Sequence, residues 1–141
     1  MANWYGSARS NYVKVDDKEG ITKALEPFDI TLNWDERGLC LTVDGASNDG
    51  AWPTTAYVED DEGVEDEIVL SPETHICPYL AEGEVIIFME VGAEKLRYLT
   101  GYAEAYKAKT GEYCVVSLND IYNKAAEQFG VALESISLAE W

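Results

Sequence analysis

The sequence predicts an α+β fold: a mainly antiparallel sheet with two to three short helices, in one domain spanning residues 1–141. Three observations lead there. Apolar and polar residues alternate over several stretches of strand length. Connections of hairpin length join those stretches. Short capped helical patterns are interspersed among them, and no low-complexity linker divides the chain.

Taken in order, residues 11–15 read as a first strand. Asp16 and Glu19 have capping-box spacing for a short helix with Ile21, Ala24 and Leu25 as its apolar stripe; Pro27 ends it and Gly20 weakens it. Phe28, Ile30, Leu32 and Trp34 alternate strictly with polar residues, the pattern of a half-buried strand. Asp35 to Gly38 is a turn, and Leu39, Leu41 and Val43 return as the hairpin partner. Residues 44–50 form a polar loop. A third strand is expected over residues 52–58, with Pro53 tolerable only at its start or on an edge. An acidic run follows over residues 59–67. Ser71 and Pro72 then mark a helix start, interrupted near Pro78.

Residues 84–130 are the spine of the pattern. Val85, Ile86, Ile87, Phe88 and Met89 are too short an apolar run for a globular helix and rich in β-branched residues, so a buried strand is expected. Leu96, Tyr98, Tyr102 and Tyr106 recur at even spacing on one face of the next strand. Lys109 to Glu112 is a hairpin loop with Gly111 available for a positive φ, and a strand returns from Tyr113. Ser117 opens a helix with Asp120 as its capping partner. Its stripe is Leu118, Ile121, Tyr122, Ala125, Ala126 and Phe129, and Gly130 stands at the C-cap. Residues 131–141 suit an edge strand or a packed tail.

Apolar content of 47% and aromatic content of 11% fit a packed core. No run approaches the ~18 apolar residues of a membrane span, so a cytoplasmic protein is expected, with no membrane partner. Cys40, Cys77 and Cys114 are neither a disulfide framework nor a zinc pattern, and small buried apolar roles are expected for them.

Charge is the outlier. The net charge is −17, and no lysine or arginine lies between Arg37 and Lys95. That 57-residue interval holds 14 of the 27 acids; the other 13 stand against all 10 bases, a net of only −3 outside it. Seven acids fall within nine residues: Glu59, Asp60, Asp61, Glu62, Glu65, Asp66 and Glu67. Such charge discourages direct nucleic-acid binding and favours basic partners. One reading of the run is a solvated loop. The other is an anionic surface for a basic protein. At one charge per ~1.7 Å of duplex, 14 carboxylates on one face would match roughly 24 Å of DNA. An extended nine-residue run would itself span at most ~30 Å.

Other chemistry is sparse. Calcium-loop registers centred on Gly63 or Gly50 lack carboxylates at the required ends. His75, the only histidine, has no evident partners for zinc or a nucleophile, and a local hydrogen bond is expected of it. Glu90 and Glu104 are the acids expected to be partly enclosed, with Lys95 or Arg97 as possible ion-pair partners. No cofactor, metal or catalytic residue is indicated, and the oligomeric state is left open.

In Met1-Ala2-Asn3-Trp4-Tyr5-Gly6-Ser7-Ala8-Arg9-Ser10-Asn11-Tyr12, and again from Met89-Glu90-Val91-Gly92-Ala93-Glu94-Lys95-Leu96-Arg97-Tyr98-Leu99 through Val116-Ser117-Leu118-Asn119-Asp120-Ile121-Tyr122, the chain resembles a family of small acidic proteins carried by bacterial plasmids, phages and integrated elements. No catalytic residue carries over. The resemblance implies a counter-defence context, in which anti-restriction and anti-CRISPR inhibitors often imitate DNA. The expected function is therefore a non-enzymatic inhibitor that docks its seven-acid run on a basic host protein or nucleoprotein complex. Two alternatives stand beside it. One is a small-ligand protein or enzyme with a carboxylate pocket drawing on Glu90, Glu104, His75 and Tyr102; the other is an immunity protein neutralising a basic toxin.

Overall fold

The structure is a computed structural model that describes residues 4–43, 50–94 and 98–139. In chain order the elements are β1 (Trp4–Ser10), α1 (Lys18–Leu25), β2 (Thr31–Asp35), β3 (Gly38–Thr42), β4 (Thr55–Glu59), β5 (Glu65–Val69), α2 (Pro72–His75), β6 (Val85–Glu94), β7 (Tyr98–Lys107), β8 (Tyr113–Ser117) and α3 (Asp120–Phe129). Six strands make one antiparallel sheet in the order β2-β3-β1-β6-β7-β8, and β4 and β5 pair as a separate two-stranded sheet. The fold is α+β, as its patterning predicts.

The spine is the long β6–β7 hairpin, paired from Val85↔Lys107 to Glu94↔Tyr98. Burial along β6 alternates: Ile86 and Phe88 are buried, while Val85 and Met89 are exposed. The expected fully buried strand is thus a half-buried one, because a period of two turns alternate residues to opposite faces. The loop to β8 closes as expected, with Gly111 at φ 73°.

The first strand is not at residues 11–15 but earlier, at β1. Gly6, Ser7 and Ala8 are weak strand formers, and pairing along the whole of β1 with β6 overrides that local preference. Residues 11–15 instead cross the sheet through single bridges, Val13↔Leu39 and Val15↔Leu80. Asn11 prolongs the β1–β6 ladder with its side chain, its Nδ2 donating to the Val85 carbonyl and its Oδ1 accepting from the Ile87 amide. The buried Ser10 hydroxyl accepts from the Leu41 amide at 2.8 Å and ties β1 to β3.

Helix α1 is capped one residue later than expected: Asp17, not Asp16, accepts from the Gly20 amide. Gly20 is required by a close approach, since a Cβ there would collide with the Asp17 carboxylate and the Tyr79 ring. Ser71 and Pro72 open α2 as predicted, and a 3-10 turn at Cys77–Tyr79 marks the interruption at Pro78. Ile21, Leu25, Leu39, Leu41, Ile76, Leu80 and Ile86 are the largest aliphatic members of a single buried cluster.

Two expectations fail at the far end of the sheet. The amphipathic stripe of α3 is not buried; Leu118, Ile121 and Phe129 are all exposed. Helix α3 leaves from the edge strand β8, beyond the elements that cover the core, and the tail turn Leu133–Ser135 is its neighbour. Its start is later than expected, since Ser117 ends β8 and Asn119 is the N-cap, although the Asp120 carboxylate does accept from the Ser117 amide. Its other end is as predicted, capped by Gly130 at φ 66°. Cys114, on β8, is exposed, whereas Cys40 and Cys77 are buried. The described part of the tail forms no strand, and the Ala139 amide donates to the Tyr122 hydroxyl. Among the described residues no helix is long and apolar enough to cross a membrane. Residues 44–49 of the expected polar loop 44–50, Leu96, and the possible partners Lys95 and Arg97 lie outside the described residues.

Candidate functional site

The acidic run is only partly a loop: Asp60, Asp61 and Glu62 lie in the turn between two strands. It folds into the β4–β5 hairpin, pairing Glu59↔Glu65, Val58↔Asp66 and Tyr57↔Glu67. The turn follows from Asp60 and Gly63. The Asp60 carboxylate accepts from the amides of Glu62 at 2.9 Å and Val64 at 2.8 Å, and Gly63 supplies the left-handed residue at φ 81°. Doubling back also shortens the run. Seven acids fill a compact block rather than a rod of ~30 Å, since each arm contributes only ~3.4 Å per residue.

A two-stranded hairpin is marginal by itself and must be anchored. Its root supplies the anchor. Ala56 is buried, Ile68 and Leu70 pack on the core, and the Leu70 amide donates to the Thr54 carbonyl. Inward positions thus hold the hairpin, while Tyr57, Glu59, Glu65 and Glu67 share its outer face. All seven acids are exposed.

No ion pair among the described residues compensates them. Among the described residues the ion pairs are Arg37–Asp35 at 2.7 Å and Lys109–Asp16 at 3.0 Å, neither on the hairpin. Arg37 also stacks over the Tyr12 ring at 3.7 Å, and Lys18 lies over Trp34 at 4.6 Å. The guanidinium of Arg37 holds the Asp35 carboxyl below the usual carboxylate range, chiefly by direct hydrogen bonding. Glu59, by contrast, faces Glu65 directly, an arrangement that destabilises a strand pair.

A second site lies at the root of the hairpin, where a cavity of about 270 Å³ separates it from β6 and β7. Phe88, Tyr102, Glu104 and Tyr106 line it from the large sheet; Trp52 and Leu70 close it from the hairpin side and Ile76 from the end of α2. Register explains the grouping: Phe88↔Glu104, Ile86↔Tyr106 and Glu90↔Tyr102 are cross-strand partners on one face. Trp52 and Phe88 meet edge to face at 5.1 Å, as do Phe88 and Tyr106 at 5.9 Å. The Tyr106 hydroxyl donates to Glu104 Oε2 at 2.9 Å, and the Trp52 amide donates to Glu90 Oε1 at 2.7 Å. Both glutamates are half-buried. Burial first, then the charges of Glu90 and Glu104, push the Tyr102 phenol up to about 12. Burial and the hydrogen bond to Glu104 raise Tyr106 as well.

The structure therefore brings Glu90, Tyr102 and Glu104 together and leaves His75 out of the cavity wall. His75 Nδ1 accepts from the Ser71 amide at 2.9 Å and the ring lies edge-on to Phe28, the local satisfaction expected of it. Trp52, Phe88 and Tyr106 are the site residues that patterning missed. The signal for one of them was present, since Tyr102, Glu104 and Tyr106 are spaced by two. No group of histidines, cysteines and acids that could hold a metal occurs among the described residues. No family model, curated protein or solved structure matches this chain.

Proposed function

We propose that the protein is an acidic binding protein, encoded by a mobile element, that inhibits a nucleic-acid-binding defence complex of a bacterial host by offering a DNA-like anionic surface. Its partner is a basic protein or nucleoprotein complex, and Glu59, Asp61, Glu62, Glu65, Asp66 and Glu67 meet it. Asp60 serves the same surface from within, by holding the turn.

One observation carries this reading: Glu59 stands opposite Glu65 on an ordered hairpin, and no described cation pairs with either. Like charges placed directly across a strand pair cost stability. A cationic surface would relieve that cost on docking and find the acids already in place. Preorganisation of this kind reduces the entropy lost on binding. Long-range attraction would speed association and weaken as salt rises. Exposed Tyr57, on the same outer face, adds an aromatic contact of the type enriched at interfaces.

The test is capture from host lysate at low and high salt, with bound proteins identified by mass spectrometry. The expected catch is a basic nucleic-acid-binding complex retained at low salt and lost at high salt. A variant carrying Asp61→Lys, Glu62→Lys, Glu65→Lys and Glu67→Lys should catch nothing while keeping its fold. Capture that survives these four changes removes the hairpin as the interface.

A further inference from the structure

The cavity at the hairpin root has a chemistry distinct from that of the hairpin itself. Its walls are aromatic on several sides, with Trp52, Phe88, Tyr102 and Tyr106 around a space of about 270 Å³. That is the room of roughly nine liquid waters at ~30 Å³ each, enough for a small organic molecule and no more. The charged side chain in the wall is a carboxylate, Glu104, and a second carboxylate, Glu90, lies behind Tyr102 on the same sheet face.

Each carboxylate has a donor, but each donor is neutral: the Tyr106 hydroxyl for Glu104, and the Trp52 amide for Glu90. Among the described residues neither glutamate is in an ion pair. Half-buried negative charge without a counter-charge is costly, and a cation entering the cavity would offset it. The faces of aromatic rings attract the same kind of guest, because the ring quadrupole is negative there.

The type of cation follows from the rest of the wall. Pro53, Val69, Leu70, Pro72 and Ile76 offer no side-chain acceptors, and Thr54 adds a single hydroxyl. A metal ion or a primary ammonium would surrender strong hydration there for too few oxygens. A methylated ammonium is weakly hydrated and needs only ring faces and one anion nearby. We propose that this cavity binds a small methylated ammonium ion, with its charged head among Trp52, Phe88, Tyr102 and Tyr106 and against Glu104. Burial raises the Tyr102 phenol most, and the charges of Glu90 and Glu104 add to that rise. The assignment does not depend on the docking of a basic partner at the hairpin.

Titration calorimetry on the whole protein tests it, with choline and the uncharged analogue whose quaternary nitrogen is replaced by carbon. The two have the same shape, so their difference isolates charge. Choline should bind at least about tenfold more tightly than the analogue, the size expected of a desolvated cation–π site. Glu104→Gln should weaken choline by about tenfold and leave the analogue unchanged. The four hairpin reversals, none of them at a residue of the cavity wall, should change choline affinity by no more than about threefold, a residual long-range effect. Equal affinity for the two compounds, or no binding of choline, overturns the proposal on the wild-type protein alone, whatever the variant does. A Glu104→Gln protein that is folded and binds choline undiminished overturns the role given to that carboxylate.

Discussion

The hairpin and the cavity at its root hold negative charge in opposite ways. On the hairpin seven carboxylates stand in water, ordered by an anchored backbone. At the cavity one carboxylate, Glu104, lies in the wall and a second, Glu90, lies behind Tyr102, both half-buried beside aromatic rings and neutral donors. Exposed charge acts at a distance and is screened beyond ~8 Å at physiological salt. Enclosed charge acts at contact and is screened far less. One region therefore suits a large cationic surface and the other a single small ion, although only a few residues separate them in the chain.

The sharpest way to break that comparison is by truncation. Phe88→Ala should cost about 3–5 kcal/mol of stability, read from urea unfolding, because the ring is buried between Trp52 and Tyr106. Tyr57→Ala, on the 68% exposed outer face of the hairpin, should stay within about 0.5 kcal/mol of wild type. Next in size is binding: the four reversals at Asp61, Glu62, Glu65 and Glu67 should weaken a basic partner by about 100-fold at low salt. The gap between variant and wild type should narrow as salt is added.

A smaller effect has the opposite sign. Glu65→Lys alone converts the repulsive Glu59↔Glu65 pair into an attractive one, so the melting temperature should rise by roughly 1–4 °C while partner binding weakens. A drop in melting temperature would mean that Glu65 makes a stabilising contact. A further effect is alkaline. Tyr102 keeps its proton in the folded protein up to about 12, whereas an unfolded tyrosine releases it near ~10. Between those values the unfolded chain binds fewer protons, so stability falls as pH rises, and below ~10 the contribution is intact. Urea unfolding at stepped pH should show this slope, and Tyr102→Phe should make it shallower.

Patterning along the chain read much of this architecture. The β2–β3 and β7–β8 hairpins, α1, α2 and the C-cap of α3 follow from local alternation, proline placement and glycine. Strand β1 was hidden because small residues carry little local signal and β6 decides their conformation. Strand β5 was hidden for another reason. Glu65, Asp66 and Glu67 are acidic on both faces, which erases the period of two that marks a half-buried strand. Position in the sheet was equally invisible. The stripe of α3 is as regular as that of α1, but only α1 lies over the core. The cavity depends on Trp52 reaching Phe88 across 36 residues, a contact no local pattern encodes.

Under the proposed function the hairpin competes for a surface that otherwise holds nucleic acid. Displacement of labelled duplex DNA from the captured host complex, at low salt, measures it directly. Wild-type protein should release the DNA in a dose-dependent way, and the fourfold reversal variant should release none. If wild type binds the complex and the DNA stays bound, the acidic hairpin is not a mimic of DNA.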